Sequence, residues 1–344
     1  MLHVVCLRRP PIAASELILR LSLCAHLAAA FALGAWFFRR GLALWRLGAG
    51  FLVLGVVFQA AFAAARWVAG GRPPLANTFE SLVFLALCIG ALTAWLALAR
   101  GWRSIAPPGA LGVLAVTVLA ALMEGRGIEP LPPALRHHLW LAVHVALCML
   151  SYAAFLLAYL AALALLARTP GHAVAARAAA VLTAAGVLAA VGLVAASRTE
   201  AWALVRPRLP EAALGLTAVG LAGGLPLAGW LERRAGLGGL LPEAARLEAM
   251  TRRSVELGLP LLTAGIATGS YWASIAWGRY WGWDDKETAS LVTWLVFVAY
   301  LHAARAGAGR GRAAWAWLVV AGFWCVVLTY FGVNYLRSGL HSYR

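Results

Sequence analysis

The chain has few charged residues and almost no lysine, and its cysteines form no recognisable pair. Charged residues make up 12% of the 344 residues, whereas hydrophobic residues make up 63%. So few charges cannot cover the surface of a soluble globule of this size, which excludes an ordinary soluble protein. The five cysteines are scattered and none belongs to a C-x-x-C pair. Neither a zinc site, a dithiol redox pair nor a c-type haem attachment motif is therefore indicated.

The net charge of +16 comes from arginine, because Lys286 is the only lysine. A strongly basic chain often binds nucleic acid. Here the arginines lie mostly in short gaps between apolar runs, as at Arg39–Arg40 and Arg252–Arg253. That distribution is typical of membrane proteins held at the lipid–water boundary. We therefore expect the lipid bilayer as a partner and no nucleic acid.

Apolar runs of membrane-spanning length follow one another along the chain and predict an all-α fold. We expect a polytopic transmembrane helix bundle with about eight to ten spans. The first run is interpreted as a retained helix, and the fourth is shorter than the roughly 20 residues that an upright span needs. Gaps containing glycine and proline, such as 107–109, predict loops. The runs lie at roughly 17–38, 43–65, 81–99, 109–123, 139–167, 176–197, 212–231, 256–277, 288–305 and 313–336.

Arginine placement predicts how the chain crosses the bilayer. Alternate gaps are richer in arginine than the gaps between them, and arginine-rich loops face the cytoplasm. Both termini and the loop at 278–287 are then expected on the extracytoplasmic side. The arginine-rich gaps are 39–42, 100–108, 168–175, 232–255 and 306–312.

The segment AWGRYWGWDDKET, from Ala276 to Thr288, is the most distinctive part of the sequence. Its aromatic residues Trp277, Tyr280, Trp281 and Trp283 lie within seven residues and are followed at once by three carboxylates and the lysine. Clustered rings stack on a flat aromatic ligand, or anchor a protein at the membrane interface. Their density exceeds what anchoring requires, which favours a ligand platform.

Asp284 and Glu287 are spaced as a capping box directly before an apolar run, and helix capping is the favoured interpretation of both. Carboxylates would repel an anionic ligand, whose acidic groups would instead be bound by Arg279 or Lys286. We include Asp284 with these two cations and the four aromatic residues in the candidate binding set, as part of the same segment.

Three of the eight histidines have informative positions. His144 lies near the outer end of its run and His341 just beyond the last run, so both are expected at the level of the tryptophan-rich loop. His302 lies fifteen residues beyond Glu287, which is roughly 22 Å deeper at the helical rise. Because imidazole is an axial ligand of haem iron, these positions predict two stations: a paired site outside and a single imidazole deep in the bundle.

A structural interpretation remains open for each of these histidines. A lone histidine in a membrane helix more often hydrogen-bonds a neighbouring helix or reaches the interface. We interpret His26 in this way, and His3 and His172 as terminal or loop residues. His137 and His138 are rival ligands on position alone.

At these residues the chain resembles the CcsA (ResC) family of cytochrome c maturation proteins, within the haem-handling superfamily that includes CcmC and CcmF. The resemblance rests on the tryptophan-rich "WWD" segment WGRYWGWDDKET and on TWLVFVAYLHAAR after it. It also rests on the tail FGVNYLRSGLHSYR, on LAVHVALCMLSYAAFLLAYL around His144 and on NTFESLVF at 77–84. Residues 170–250 are poorly matched.

The resemblance implies that haem b enters from the cytoplasmic side, held by His302, and is presented outside at the WWD segment. His144 and His341 would be its axial ligands there. Such a chain would be half of a system II synthase in the bacterial plasma membrane. Together with a CcsB (ResB) partner, it would join haem to the thiols of a C-x-x-C-H apocytochrome c.

Two other functions are compatible with the same resemblance: a haem transporter or chaperone without ligation activity, and a membrane regulator of haem synthesis. For organisation, we predict N-terminal transmembrane helices at 1–130 and a haem-handling region at 131–344, with the WWD segment at 272–288.

Overall fold

The computed structural model of the protein describes residues 12–123, 127–128, 138–196, 241–306 and 311–332. Within these ranges every regular element is helical, which confirms the all-α prediction. The α-helices are accompanied by a 3₁₀ turn (Arg103–Ile105) and a π-helical turn (Leu328–Gly332). The helices are α1 (Ile12–Arg39), α2 (Leu42–Gly70), α3 (Thr78–Leu98), α4 (Ala106–Leu122), α5 (His138–Arg168), α6 (Ala173–Ala196), α7 (Ala244–Trp277), α8 (Asp285–Ala306) and α9 (Arg312–Val327).

Seven helices in the described part of the chain are long and apolar enough to cross a membrane. They comprise α1 to α5, α8 and α9, and they make this a multi-pass membrane protein. The predicted runs at 176–197 and 256–277 form much of α6 and the C-terminal part of α7. The N-terminal half of α7 carries charged residues, and for this reason the helix as a whole is less apolar than the spans. The predicted run at 212–231 lies outside the described residues.

Helix α4 corrects one expectation from the sequence. The span containing it runs from Arg103 to Leu122 and has 20 residues, enough to cross upright. The loop predicted at 107–109 is wrong, because the prolines lie in the first turn of the helix. Proline is tolerated there, since its missing N–H would have had no partner inside the helix in any case.

Helix α5 is the most buried of the spans and packs against α3, α6, α7 and α9. The Phe155 ring on α5 stacks on the Phe297 ring of α8, with centroids 3.7 Å apart and planes within 6°. A glycine lies close to each ring: an added Cβ would lie 2.7 Å from Phe155 at Gly258 and 2.8 Å from Phe297 at Gly322. Small residues at these points let four helix backbones approach closely around two aromatic rings.

A buried ion-pair triad fixes the connection between α2 and α3. Glu80 lies 2.9 Å from Arg66 through one carboxylate oxygen and 3.0 Å from Arg72 through the other. The second oxygen also accepts a hydrogen bond from the backbone N–H of Ala76 at 3.0 Å. Asn77 caps α3 by accepting from the Glu80 N–H at 2.8 Å. The segment before α3 therefore has a defined shape, and it forms one wall of the cavity described below.

Candidate functional site

A cavity lies at the end of the bundle that carries the tryptophan-rich loop. Aromatic and aliphatic side chains line it together with hydroxyl groups, one imidazole, one thiol, one lysine and one glutamate. The lining residues fall within 75–81, 141–152 on α5, 262–273 on α7, 280–281 in the loop, 286–290 on α8 and 329–330 in the π-helical turn. The site therefore depends on the packing of α3, α5, α7, α8 and the π-helical turn rather than on one local motif.

His144 lines this cavity, half-buried on α5. Its Nδ1 is 2.7 Å from the carbonyl oxygen of Gly265 on α7. Because a carbonyl oxygen only accepts hydrogen bonds, Nδ1 donates to it, and in the neutral ring the lone pair is then on Nε2. An imidazole held by a backbone carbonyl through one nitrogen is oriented to bind a metal through the other. The assignment of His144 as a haem ligand stays a prediction.

Glycines on α7 make room for the imidazole. An added Cβ at Gly269 would lie 2.5 Å from Nδ1 of His144, and one at Gly265 would lie 2.8 Å from the Cys148 thiol. Cys148 follows one turn after His144, with its sulfur 3.8 Å from Nδ1. These residues were not predicted from the sequence. The spacing of Gly258, Gly265 and Gly269 could have indicated them, because it places the three glycines on one face of a helix.

The tryptophan-rich loop contributes only part of its aromatic cluster to the cavity. Tyr280 and Trp281 line it, and Trp281 meets Trp283 edge-on with centroids 5.8 Å apart. Trp283 is 70% exposed and lies outside the lining. Trp277 packs edge-on against Trp272 at 4.8 Å, and it is Trp272 that faces the cavity. Of the four aromatic residues, Tyr280 and Trp281 thus form part of the cavity wall, whereas Trp277 and Trp283 lie behind or outside it.

The predicted capping box is confirmed. The Asp284 carboxylate accepts hydrogen bonds from the N–H groups of Lys286 at 3.0 Å and Glu287 at 2.8 Å. In return, the Glu287 carboxylate accepts from the N–H groups of Gly282 at 2.7 Å and Asp284 at 3.2 Å. The loop is also tied to α7, because the Ser270 hydroxyl donates to the Tyr280 carbonyl oxygen at 2.5 Å. The loop conformation is therefore determined by the protein's own backbone contacts.

The two predicted cations differ in their positions. Lys286 lines the cavity together with His144, whereas Arg279 is exposed and does not line it. The Arg279 guanidinium lies over Gly282, where an added Cβ would be 2.6 Å from its central carbon. Asp284 is also outside the lining. Of the predicted binding residues, the structure brings Tyr280, Trp281 and Lys286 together with His144 and leaves the others at the margin.

A pair of hydroxyl groups also forms part of the cavity wall. The Ser81 hydroxyl at the start of α3 is 2.6 Å from the Tyr330 hydroxyl in the π-helical turn. Tyr330 also meets Tyr152 edge-on, with centroids 6.4 Å apart, and all three residues line the cavity. This pair links two chain segments separated by 249 positions. The sequence analysis did not find it.

His302 lies on α8 at the opposite end from the loop. Because α8 is continuous from Asp285 to Ala306, the predicted separation in level from the cavity is retained. Its side chain, however, is exposed on the outer face of the bundle. The expectation of an imidazole inside the bundle is therefore wrong. The reason is that α8 is a peripheral helix, the least buried of the spans.

The remaining histidines also differ from one another in burial and contacts. His26 is fully buried in α1, with its ring against Gly55 of α2. His172 lies in the turn between α5 and α6 and accepts a hydrogen bond from the Trp317 indole at 3.3 Å. His138 begins α5. His3, His137 and the predicted ligand His341 lie outside the described residues.

Comparison with known proteins gives these residues a family context. A family model described as "Cytochrome C assembly protein" matches residues 75–341. The chain belongs to this family. Among curated relatives, the cytochrome c biogenesis protein CcsA of Picosynechococcus sp. is 38% identical over 289 residues, which cover 83% of this chain and 84% of the relative. CcsA of Synechococcus elongatus is 38% identical over 304 residues, covering 86% and 87%.

CcsA of Synechocystis sp. is 36% identical over 292 residues, or 82% of this chain and 83% of the relative. These matches confirm the resemblance to the CcsA family and place the chain in cytochrome c maturation, a process that involves haem. The matched range of the family model includes all six cavity segments, from Leu75 to Tyr330. The cavity is therefore built from the part of the chain that defines the family.

Proposed function

We propose that this CcsA-family chain is the haem-delivering membrane subunit of a system II cytochrome c synthase. The observation that carries the proposal is the placement of His144: it lines an aromatic-lined cavity with Nδ1 2.7 Å from the Gly265 carbonyl oxygen, so that the neutral imidazole has its lone pair on Nε2. Haem b is the substrate presented there. Its flat ring fits the aromatic lining, and iron binds imidazole through an unprotonated nitrogen.

Individual residues have distinct roles in this proposal. His144 is one axial ligand, and His341, whose position lies outside the described residues, is the other. Trp281 and Tyr280 contact the ring, and Lys286 binds a propionate. Trp277, Trp283, Asp284 and Arg279 support the loop or its rim. His302 belongs to an earlier, membrane-level stage of loading, which fits its exposed position on a peripheral span.

The ligation step needs little acid–base chemistry from the chain. A thiol S–H adds across a vinyl C=C bond, with sulfur going to one vinyl carbon and hydrogen to the other. No leaving group departs and no external oxidant is consumed. The chain contributes position and dryness: it fixes the ring so that the thiols of a C-x-x-C-H apocytochrome approach the vinyl groups, and it limits water around them. A CcsB (ResB) protein is proposed as the second subunit.

The proposed location is the bacterial plasma membrane, with the tryptophan-rich loop on the extracytoplasmic side. Exposed arginines support this orientation, because Arg39, Arg100, Arg168, Arg252 and Arg305 all belong to the end of the bundle opposite the loop. Arginine-rich ends face the cytoplasm. The division at residues 130 and 131 stays a prediction.

Spectroscopy of histidine variants tests the proposal. We expect purified wild-type protein to contain non-covalent haem b with a low-spin bis-imidazole spectrum. His144→Ala and His341→Ala should each open an axial position, and added imidazole should partly restore maturation of a coexpressed apocytochrome. Wild-type spectra and full maturation in both variants would remove the basis of the assignment.

A variant of His302 tests whether haem loading and haem presentation are two separate stages. His302→Ala should lower the haem content of the whole protein, while the haem that remains keeps its bis-imidazole spectrum. A normal haem content with an altered spectrum would instead make His302 a ligand of the outer site. Coexpression with a ResB-type partner separates the alternatives: a transporter, chaperone or regulator would bind haem without partner-dependent attachment.

A further inference from the structure

Arginine–indole stacks cover the end of the bundle opposite the cavity. The Arg103 guanidinium lies 5.2 Å from the Trp45 ring centroid, and Arg253 lies 5.9 Å from Trp102. Arg100 lies 5.2 Å from Trp95. Trp45 and Trp102 are buried, whereas all three arginines are exposed. Each of these guanidiniums therefore lies over an indole ring at the surface.

Backbone and ring contacts join these stacks into one surface. Arg246 at the start of α7 donates to the Gly101 carbonyl oxygen at 2.8 Å, which brings α7 onto the turn between α3 and α4. Trp36 and Trp45 are in contact with centroids 5.0 Å apart, and Arg40 lies 4.7 Å above Trp36. The stacks thus extend across α1, α2, the α3–α4 turn and α7.

Charge at this surface is incompletely compensated. In the ranges that the structure describes, Arg100, Arg103 and Arg253 form no ion pair with a carboxylate, whereas Arg252 beside them pairs with Glu256 at 3.5 Å. Stacking uses the faces of a guanidinium and leaves its N–H groups in the ring plane for an acceptor. Three stacked guanidiniums without carboxylates therefore offer a row of oriented donors for phosphate oxygens.

We propose that this arginine–indole surface, formed by Arg100, Arg103 and Arg253 on Trp95, Trp45 and Trp102, binds the phosphate headgroups of anionic phospholipids. Indole rings favour the depth of the lipid headgroups, so the guanidiniums that they support lie at the level of the phosphates. Trp45 and Trp102 are buried, so their faces form no open aromatic slot for a flat ligand. A lipid therefore fits this surface better than a second tetrapyrrole site.

The full-length protein in nanodiscs tests this inference. Discs of phosphatidylcholine alone are compared with discs of an equal mixture of phosphatidylcholine and phosphatidylglycerol. The readouts are the number of phosphatidylglycerol molecules retained per protein by native mass spectrometry and the unfolding temperature. Each arginine that binds a lipid phosphate contributes roughly fivefold in affinity. The triple variant R100Q/R103Q/R253Q is therefore expected to bind phosphatidylglycerol roughly a hundredfold more weakly and to lose the phosphatidylglycerol-dependent rise in unfolding temperature.

A control of equal charge keeps the test specific. R39Q/R46Q/R305Q removes three exposed arginines from the same end of the bundle, none of which lies over an indole of the described residues. It should retain both lipid and thermal shift. Equal losses in the two triple variants would indicate general surface attraction and overturn the proposal, as would full retention in both.

Two further measurements cover folding and ligand identity. R100K/R103K/R253K keeps the charge and should retain part of the lipid, so that loss of folding is distinguished from loss of binding. If it binds no lipid although it unfolds at the wild-type temperature in phosphatidylcholine, the charge-based proposal is wrong. A fall in haem content with unchanged lipid retention would assign the guanidiniums to haem carboxylates and also overturn it.

Discussion

Gly269→Ala is the sharpest test of His144, because it changes the ligand's surroundings without changing the ligand. The new Cβ would lie 2.5 Å from Nδ1 and 2.6 Å from Cε1 of the imidazole, whereas ordinary van der Waals contacts begin near 3.4 Å. The ring must therefore retreat by about 1 Å, since the backbones of α5 and α7 are already in close contact. That retreat strains the 2.7 Å hydrogen bond from Nδ1 to the Gly265 carbonyl oxygen.

The expected magnitude follows from overpacking. An extra methyl group in a well-packed site costs about 1–3 kcal/mol. If the cost falls on the orientation of the imidazole, haem occupancy decreases roughly 5- to 150-fold. The helix itself should tolerate the change, because alanine is the better helix former by about 1 kcal/mol.

Haem per protein, measured as the pyridine haemochrome, is the assay, and the visible spectrum reports the axial ligands. Gly50→Ala is the matched control, since it makes the same substitution in α2 with open space around the new methyl group. It should retain haem and spectrum. A Gly269→Ala protein with wild-type haem content and a low-spin spectrum would refute the argument that His144 binds iron from this position.

Other variants test the remaining contacts of the cavity. Trp281→Ala should lower haem retention up to roughly tenfold, whereas Trp283→Ala should leave it nearly unchanged; equal effects would contradict the division of the loop. Tyr330→Phe removes the hydroxyl bonded to Ser81 and should lower the free energy of unfolding by about 1 kcal/mol, measured as a lower unfolding temperature. A double-mutant cycle with Ser81→Ala should show coupling between the two hydroxyls, and strict additivity would refute this interaction. Glu80→Gln leaves two buried guanidiniums without their carboxylate and should lower the free energy of unfolding by about 3–5 kcal/mol, measured as a lower yield of folded protein. The control Glu16→Gln, which removes a partly exposed carboxylate, should have little effect on protein yield, and similar yields for both variants would contradict the triad's role.

Local signals predicted the parts of the structure that depend on neighbouring residues. The capping box at Asp284 and Glu287 was readable because both hydrogen-bonding partners lie within one turn. The spans were readable because crossing a bilayer sets a minimum apolar length. The loop predicted around Pro107 was wrong because proline favours both a loop and the first turn of a helix, and these two cases look alike in sequence.

Contacts between distant segments were not predictable from a single sequence. Helix α5 is apolar on all sides, so no polar stripe indicates which face meets α7 and which meets α3. The bond from His144 to Gly265 spans 121 positions, and the pair Ser81 and Tyr330 spans 249. For the same reason, the peripheral position of α8, and with it the exposure of His302, could not be inferred.

The capping box at the start of α8 has a kinetic consequence. Because the Asp284 and Glu287 carboxylates already satisfy the loop's backbone N–H groups, the loop does not need to become ordered when a ligand arrives. Binding to a preorganised site avoids the entropic cost of fixing a flexible segment. In the proposed site, the rate of haem loading is then determined by access to the cavity, and the rate of release by the contacts with the imidazole and Trp281. A substitution that loosened the box would slow productive capture even if every ring contact survived.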